Sequence, residues 1–268
     1  MSFHVKKQGE LEYLHTDALE GCIHGFSTRF GGVSEGYLTS LNLGTHRGDT
    51  RENVLENYRR FGAAVGFRPE TLVFTKQEHT DIIRKVTGSD CGYGLEREAD
   101  YVADGLITDE PGVTLACFFA DCTPILLFDP VHPAIAAVHS GWRGTAMGMV
   151  KKAVEAMCRE YGSVPSDIRA AIGPCISKCC FEVGAEVPQA MLDALGADAR
   201  AAIEPHGEKF HVDLKEINRL WLQKAGVETV DISPDCTRCQ PVRFWSHRAV
   251  GQARGSLAAV ISLKEDSV

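Results

Sequence analysis

The sequence has 268 residues, of which 44% are hydrophobic and 24% are charged, and these are ordinary values for a chain that buries a globular core. Its formal net charge of −8 argues against broad binding to a nucleic acid backbone, which needs a basic face, and no apolar run reaches membrane-spanning length. Because the N-terminal residues lack the apolar region of a secretory signal, the ten cysteines are expected to be reduced thiols or metal ligands, and we expect a soluble, cytoplasmic protein.

In the first half of the chain, glycine-rich turns separate short apolar runs. A strand is predicted at residues 22–27, followed by a helix over residues 51–65, where apolar side chains recur at helical spacing until Gly66. Further apolar runs predict strands at residues 72–75, 82–86 and 101–107. Residues 88–98 are rich in glycine and glutamate and predict either a lid or an ordinary loop.

In the second half, buried strands are predicted at residues 114–119, 124–128 and 134–138. Helical spacing predicts helices over residues 145–161, over residues 186–195, and from Asp213 to Gly226. The remaining apolar runs predict strands at residues 170–172, 229–232, 242–245 and 257–263. Because strands do not alternate strictly with helices, Rossmann and barrel topologies are disfavoured. We predict an α/β (α+β) fold in a single domain, residues 1–268, with mixed β-sheets flanked by helices.

Two chemically reactive side chains stand at the ends of predicted strands. Cys122 lies between two apolar runs, and His139 lies where another run meets a glycine-rich segment at residues 140–144. A rigid strand fixes such a side chain, while the adjacent loop leaves room for a ligand. A catalytic zinc ion takes three protein ligands and keeps one position open, and His79, between two predicted strands, is the best placed third ligand. The alternatives are a packed core cysteine and histidines without a ligand role.

Five other residues are candidates because of their positions in loops. Arg143 precedes a predicted helix, whose N-terminus favours anions, and Arg29 lies between glycine-rich turns; either guanidinium suits phosphate. Asn42 either hydrogen-bonds a sugar or base or only stabilises its turn. Asp121 either orients a neighbouring metal ligand or caps a strand. Cys175 lies in a Gly-Pro-Cys turn, where it is either a nucleophilic or metal-adjacent thiol or a packed turn residue.

The C-terminal cysteines raise the question of a second metal ion. Cys236 and Cys239 form a C-x-x-C pair, which is half of a zinc site or a redox pair. A second such pair is absent from the sequence, although Cys175, Cys179 and Cys180 could come close in space. Either group is therefore left open as a binding site for a second metal.

Several short motifs occur in a fixed order along the chain. They are residues 26–34 (FSTRFGGVS), 40–44 (SLNLG), 48–49 (GD), 77–79 (QEH), 120–124 (ADCTP), 139–144 (HSGWRG) and 172–176 (IGPCI). In this order they resemble the motifs of the YfiH-type family, over about residues 22–261. That family was long labelled multicopper polyphenol oxidase (laccase-like) and is now regarded as purine nucleoside phosphorylase and adenosine deaminase. The resemblance implies a sandwich like that of cytotoxic necrotizing factor, and one zinc ion bound by His79, Cys122 and His139.

The chain also departs from the family pattern. Thr80 stands where family members usually have glycine, and the usual asparagine-arginine pair of the first helix reads Asn57-Tyr58. Residues 244–248 resemble the family's F-x-S-x-R signature, which makes Arg248 a candidate substrate or phosphate contact, whereas residues 249–254 are less typical. Thr80 is expected to affect the backbone beside the metal, and the other departures concern substrate contacts.

By this resemblance the chain is expected to be an enzyme that cleaves adenosine, inosine or methylthioadenosine with phosphate and also deaminates adenosine. Its expected partners are a nucleoside and phosphate, with no nucleic acid and no membrane. The candidate catalytic residues are Cys175, Arg143 and Asp121. The candidate substrate or phosphate contacts are Arg29, Asn42, Arg143 and Arg248.

Three other functions compete with this expectation. A copper oxidase would need several coppers on paired histidines, and because the ten histidines include no H-x-H pair, copper is disfavoured. A zinc or cysteine amidohydrolase acting on a cell-wall intermediate would use Cys122 or Cys175 as nucleophile. A non-enzymatic metal-binding module would need only the metal ligands.

Overall fold

Two six-stranded sheets form the centre of the fold in the computed structural model, which describes residues 2–265. The strands are β1 (Phe3–Gln8), β2 (Leu11–Thr16), β3 (Ile23–Ser27), β4 (Leu72–Val73), β5 (Ile83–Lys85), β6 (Gly105–Thr108), β7 (Thr114–Phe119), β8 (Thr123–Asp129), β9 (Ala134–Ser140), β10 (Arg169–Ile172), β11 (Glu182–Val183), β12 (Ile203–His206), β13 (Lys209–Val212), β14 (Thr229–Ile232) and β15 (Leu257–Ser262). The first sheet has the order β1-β2-β3-β15-β7-β4, the second β14-β10-β8-β9-β6-β5, and β11-β13-β12 form a small third sheet.

Helices flank these sheets, and three of them cover the outer faces of the two large ones. They are α1 (Arg51–Val65), α2 (Trp142–Ala146), α3 (Met149–Tyr161), α4 (Glu186–Leu195), α5 (Leu214–Lys224) and α6 (His247–Val250). The prediction of mixed sheets flanked by helices is confirmed, since both large sheets contain parallel and antiparallel pairs. Among the described residues, none of the helices combines the length and the apolar character needed to cross a bilayer.

Alternating side chains along β15 show how the layers pack. Leu257, Ala259 and Ile261 join the core between the two large sheets, whereas Ala258 and Val260 point to the opposite face and join the core under α1. This period of two is the geometry of a strand buried on both faces. The outer face of the second sheet is covered in the same way by α3 and α5. The result is a four-layer arrangement with the two sheets face to face in the middle.

The local sequence explains where the helices begin and end. The Thr50 hydroxyl accepts from the backbone N–H of Asn53 and caps α1, and Gly66 ends it in the left-handed conformation. The predicted helix over residues 145–161 is instead two helices, α2 and α3, because Gly148 at φ 70° interrupts the helical backbone between them. The predicted bounds of α1, β7, α4 and β14 are confirmed.

Two predictions about strands were wrong. Residues 242–245 form a turn, in which the backbone N–H groups of Arg243 and Phe244 both donate to the carbonyl of Gln240. Residues 101–104 do not belong to a strand, and β6 begins only at Gly105. The sequence prediction also missed the N-terminal hairpin of β1 and β2 and the small third sheet.

Replacing Val260 by alanine should test the packing under α1. Val260 has no exposed surface, so Val260→Ala removes two buried methyl groups and should lower the free energy of unfolding by roughly 2 kcal/mol. Val131 is 60% exposed, and the same change there should stay within about 0.5 kcal/mol. Urea unfolding of both variants measures the difference; equal losses would contradict this packing.

Candidate functional site

Two neighbouring strands and one loop place Cys122, His139 and His79 together. Cys122 directly precedes β8, and His139 lies in β9, opposite Pro124 in the antiparallel pairing of these strands. His79 lies in the loop between β4 and β5 with φ 62°, and Asp121 has φ 91°. Such left-handed backbone is uncommon away from glycine and often marks functional sites.

The three side chains are close enough to bind one metal ion. The Sγ of Cys122 lies 3.7 Å from the Nε2 of His79, and the two imidazole rings are 4.9 Å apart between centroids. One potential ligand atom from each of the three residues lies within 4.8 Å of the others. His139 is buried, whereas His79 is exposed and Cys122 is partly exposed, so the group opens to one side.

A buried carboxylate, that of Asp104, fixes two of the three ligands. The Nδ1 of His139 donates to Asp104 Oδ1 at 2.7 Å, which leaves Nε2 for a metal. The same carboxylate accepts from the backbone N–H groups of His79 at 3.1 Å and Thr80 at 2.7 Å. The Thr80 hydroxyl adds a further bond of 2.7 Å, so the departure from glycine at this position adds support to the loop. Nothing in the sequence spacing marks Asp104, and sequence reasoning missed it.

Gly141 supplies the space for the group. A Cβ atom at this position would lie 2.6 Å from Cδ2 of His79 and 3.2 Å from Sγ of Cys122. Any side chain here would therefore push the two ligands aside. The glycine between His139 and α2 is required by the close approach of the backbone to the site.

The electrostatics favour a thiolate beside the imidazoles. Burial alone would raise the pKa of the Cys122 thiol, but the charge of His139 and hydrogen bonds with both histidines outweigh it and lower the pKa to about 6. Burial alone would lower the pKa of His139, but Cys122 and Asp104 raise it to about 9. Thiolate and neutral imidazole are the forms that bind metals, so Cys122 is in the binding form at neutral pH, whereas a metal ion would displace the extra proton of His139.

The donor set of two imidazoles and one thiolate fits a metal ion with an open position. Zinc accepts histidine and cysteine ligands in catalytic sites that keep a fourth position for water or substrate. Two histidines and a cysteine also occur in copper sites, usually with a weak axial methionine. The residues present therefore fit a transition metal, either zinc or copper. The other residues that line the cleft help to choose between these two metals.

The group lies in a cleft of about 980 Å³, at the upper end of the size range of small-molecule sites. Aromatic side chains form part of its wall, namely Phe74, Phe118, Phe119, Trp142 and Phe181. Carboxylates at Glu78, Glu96, Glu98 and Asp121 lie among six arginines, Arg47, Arg51, Arg97, Arg143, Arg248 and Arg254. Residues 94–98 of the segment predicted to be a lid or a loop also line the cleft.

Three of the residues predicted to act in catalysis or binding line this cleft. Arg143 is exposed and stacks on Trp142, with its Cζ 4.3 Å from the ring centroid. The carboxylate of Asp121 accepts from the Thr237 hydroxyl and from the backbone N–H of Arg248, both at 2.6 Å. Arg248 donates from its guanidinium to the carbonyl of Glu182 at 3.0 Å. Asp121, the residue before Cys122, therefore connects two other loops to this part of the cleft.

Three other predicted site residues do not line the cleft. The Arg29 guanidinium donates to the carbonyls of Thr39 and Pro241 and stacks on a tryptophan ring, so it is used in holding loops together. Asn42 is fully buried, and its amide is used within its own turn and by Ser256. Cys175 is also buried, and burial raises the pKa of its thiol to about 12, which opposes a nucleophilic role.

Two arginines that sequence reasoning missed, Arg47 and Arg254, are neighbours in the lining of the cleft. Burial and the neighbouring charge of Arg47 lower the pKa of Arg254 to about 10. Within the described residues neither guanidinium pairs with a carboxylate, and Arg47 donates instead to the neutral side chains of Ser256 and Gln252. The buried Nε of Arg254 has no partner among the described residues. Two neighbouring guanidiniums that form no ion pair within the described residues point to an anionic ligand.

The chain is similar to proteins of known sequence and structure over most of its length. A family model described as multi-copper polyphenol oxidoreductase laccase matches residues 23–264. Purine nucleoside phosphorylase YlmD of Geobacillus stearothermophilus is 39% identical, with 92% of each chain covered. Purine nucleoside phosphorylase YfiH of Escherichia coli is 36% identical, with 88% of this chain and 92% of the relative covered.

Solved structures agree with this similarity. The crystal structure of YlmD from Geobacillus stearothermophilus superposes with a TM-score of 0.91 at 37% identity, and covers 97% of this chain and 99% of its own. The crystal structure of the Bacillus licheniformis hypothetical protein YfiH superposes equally well, with a TM-score of 0.91 at 34% identity and the same coverage. The described fold is therefore that of these proteins.

Two glycines three residues apart, Gly141 before α2 and Gly144 within it, allow a matched test of the metal site. Gly141→Ala should abolish metal binding by His79, Cys122 and His139, because the new Cβ would lie 2.6 Å from the His79 ring. Gly144→Ala should leave it unchanged, because the nearest atom to that Cβ is 3.6 Å away. Titration of both metal-free variants with cobalt, followed by visible absorption, measures binding. Equal affinities would contradict a metal position between these side chains.

Proposed function

The chain belongs to the family described as multi-copper polyphenol oxidoreductase laccase, and we propose that it is a zinc-dependent purine nucleoside phosphorylase that also deaminates adenosine. Its proposed substrates are adenosine, inosine and methylthioadenosine, with phosphate as the second substrate. The observation that carries the proposal is the arrangement of one cleft, where an open metal-binding group faces arginines that lack carboxylate partners. The relatives named purine nucleoside phosphorylase support the choice of reaction.

Zinc is proposed for the group formed by His79, Cys122 and His139. A copper electron-transfer site of this donor type usually adds an axial methionine, and no methionine lines the described part of the cleft. When bound, zinc supplies a Lewis acid that lowers the pKa of water for attack on the amino-bearing carbon of adenine. The role of the chain is to hold the ligands: Asp104 orients His139, and the loop bearing His79 is held by the same carboxylate.

Arg47 and Arg254 are the proposed phosphate site. In phosphorolysis a phosphate oxygen bonds to the anomeric carbon while the bond to the purine nitrogen breaks. The base leaves with the electron pair and takes up a proton, which balances the proton that the attacking phosphate loses. The products are a free purine and a pentose 1-phosphate. Two neighbouring guanidiniums would hold the phosphate in place and stabilise its negative charge. The unpartnered Nε of Arg254 supports this site over Arg29, whose donors are already used.

The aromatic part of the wall is the proposed site for the purine. Phe118 and Trp142 are partly exposed and line the cleft together with the metal-binding group. Flat aromatic faces suit the stacking of a planar base, which would exclude water from the reacting bond. The nucleoside would then lie with its base against these rings and its sugar towards the arginines.

A cytoplasmic location is also part of the proposal. All ten cysteines lie in the described part of the chain and are free thiols. Reduced thiols in this number suit a reducing compartment. Nucleosides and phosphate, rather than nucleic acids or membranes, are the proposed partners.

A second candidate function is a cysteine hydrolase acting on an amide. It is favoured by the order Cys122, His139 and Asp104, in which a thiol with a lowered pKa is followed by an imidazole and an orienting carboxylate. The presence of His79 on the other side of the thiol favours the metal instead. Iodoacetamide treatment separates the two, because a zinc-bound thiolate should be protected until a chelator is added.

Purified protein incubated with inosine and phosphate should release hypoxanthine and pentose 1-phosphate, and adenosine should yield inosine. His139→Ala should abolish zinc binding at the cleft group and lower both rates to background, because one of its three ligands is lost. Asp129→Asn, which changes a buried carboxylate away from the cleft, serves as the control. Chromatography measures the products. Zinc-loaded protein that forms neither product would rule out the proposed function.

Removing one arginine should separate phosphate binding from nucleoside binding. Arg254→Gln should raise the KM for phosphate about 10- to 100-fold, the loss expected for hydrogen bonds to a charged group, with little change in the KM for inosine. Arg143→Ala is the comparison, since Arg143 was the first candidate from the sequence. Initial rates at varied phosphate decide between them, and a larger effect from Arg143→Ala would move the phosphate site to α2.

A further inference from the structure

Four cysteines outside the cleft come together on two loops that are distant in sequence. Cys179 and Cys180 lie in the turn after Cys175, and Cys236 and Cys239 lie in the turn after β14. One ligand atom from each lies within 4.8 Å of the others. Cys180 and Cys239 are 59 residues apart in sequence. We propose that these four cysteines bind a single structural zinc ion, separate from the metal-binding group in the cleft.

The distances between the sulfur atoms have the size of a tetrathiolate site. A zinc–sulfur bond of about 2.3 Å places the sulfurs of a regular tetrahedron about 3.8 Å apart. The Sγ of Cys239 lies 3.4 Å from that of Cys180 and 3.6 Å from that of Cys179, and the sulfurs of Cys179 and Cys180 are 3.8 Å apart. These separations are far longer than a disulfide bond of about 2.05 Å, and all four thiols are free.

The surrounding backbone is also arranged as in a thiolate site. The backbone N–H of Ser177 donates to the Sγ of Cys236 at 3.4 Å, and such donors stabilise metal-bound sulfur. Cys236 and Cys239 have the C-x-x-C spacing of a zinc site, whereas the adjacent pair Cys179-Cys180 departs from it. Because four cysteines fill the tetrahedron, no position is left for water or substrate, and the ion has a structural role.

The ion would hold together the two loops that support the cleft. Thr237, between two of the cysteines, donates to Asp121 Oδ1, and the backbone N–H of Arg248 donates to Oδ2. The Arg248 guanidinium in turn donates to the carbonyls of Cys180 and Glu182. Asp121 directly precedes Cys122. The four-cysteine site is therefore connected to Cys122 through Thr237 and Asp121. A cross-link between such distant segments stabilises mainly by restricting the unfolded chain.

Metal content of the full-length protein, purified without added metal under reducing conditions, tests this site. Cys239→Ser and the double variant Cys179→Ser/Cys239→Ser should each contain one zinc ion fewer per chain than the wild type and unfold at a lower temperature. Cys158→Ser, at a partly buried cysteine of α3, should match the wild type. His139→Ala should keep the ion of the four cysteines, so that a failure of the cleft site and a failure of this one give different results. Equal zinc in the wild type and Cys239→Ser would overturn the proposal.

Alkylation of the wild-type protein gives a test that does not depend on a variant folding. Cys179 and Cys239 are exposed, yet both should resist iodoacetamide until a chelator is added, and peptide mass spectrometry then locates the modified residues. Rapid modification before chelation would overturn the proposal, as would a disulfide joining either residue to a neighbour. Visible iron–thiolate absorption of the purified protein would overturn the assignment to zinc.

Discussion

The carboxylate of Asp104 is the group on which the cleft depends. It has no exposed surface, and a buried charge is tolerated only when hydrogen bonds replace its water. Burial alone would raise the pKa of this carboxyl, but His139 and Thr80 hold it below its ordinary value. The same bonds fix the ring of His139 and the left-handed backbone at His79. One buried charge therefore sets the positions of two ligands that lie on separate elements.

Asp121 performs the corresponding task on the other side of Cys122. Its two carboxylate oxygens accept hydrogen bonds from the Thr237 hydroxyl and from the backbone N–H of Arg248. These bonds connect the loop before β8 to the C-terminal part of the chain. Cys122 is thus held between a carboxylate that orients the histidines and one that anchors distant loops. This explains why left-handed backbone occurs at His79 and Asp121: the hydrogen bonds compensate for strained conformations at the positions where the ligands must converge.

The sequence predicted the parts of the fold that local pattern controls, and missed those that depend on distant partners. The bounds of α1 follow from Thr50 and Gly66, which are signals within the segment itself. Strand β1 is exposed over nearly all its length, so its hydrophobic pattern is weak and only pairing with β2 defines it. Motif order pointed to His79, Cys122 and His139, which the fold brings together, whereas Asp104 and Arg254 gave no signal because their neighbours in the cleft lie far along the chain. Arg29 was predicted to bind phosphate from its glycine-rich surroundings, yet backbone carbonyls already occupy its donors.

The overall charge of the chain is also a poor guide to what its cleft binds. A net charge of −8 opposes binding to an extended polyanion, but a small anion responds to the few groups within its reach. Arg47 is held by Ser256 and Gln252, which orient the guanidinium without neutralising it. A carboxylate in their place would fix the same side chain but compete with an anionic ligand for it. Neutral partners for Arg47 therefore keep a positive site available in an acidic protein, as the proposed phosphate site needs.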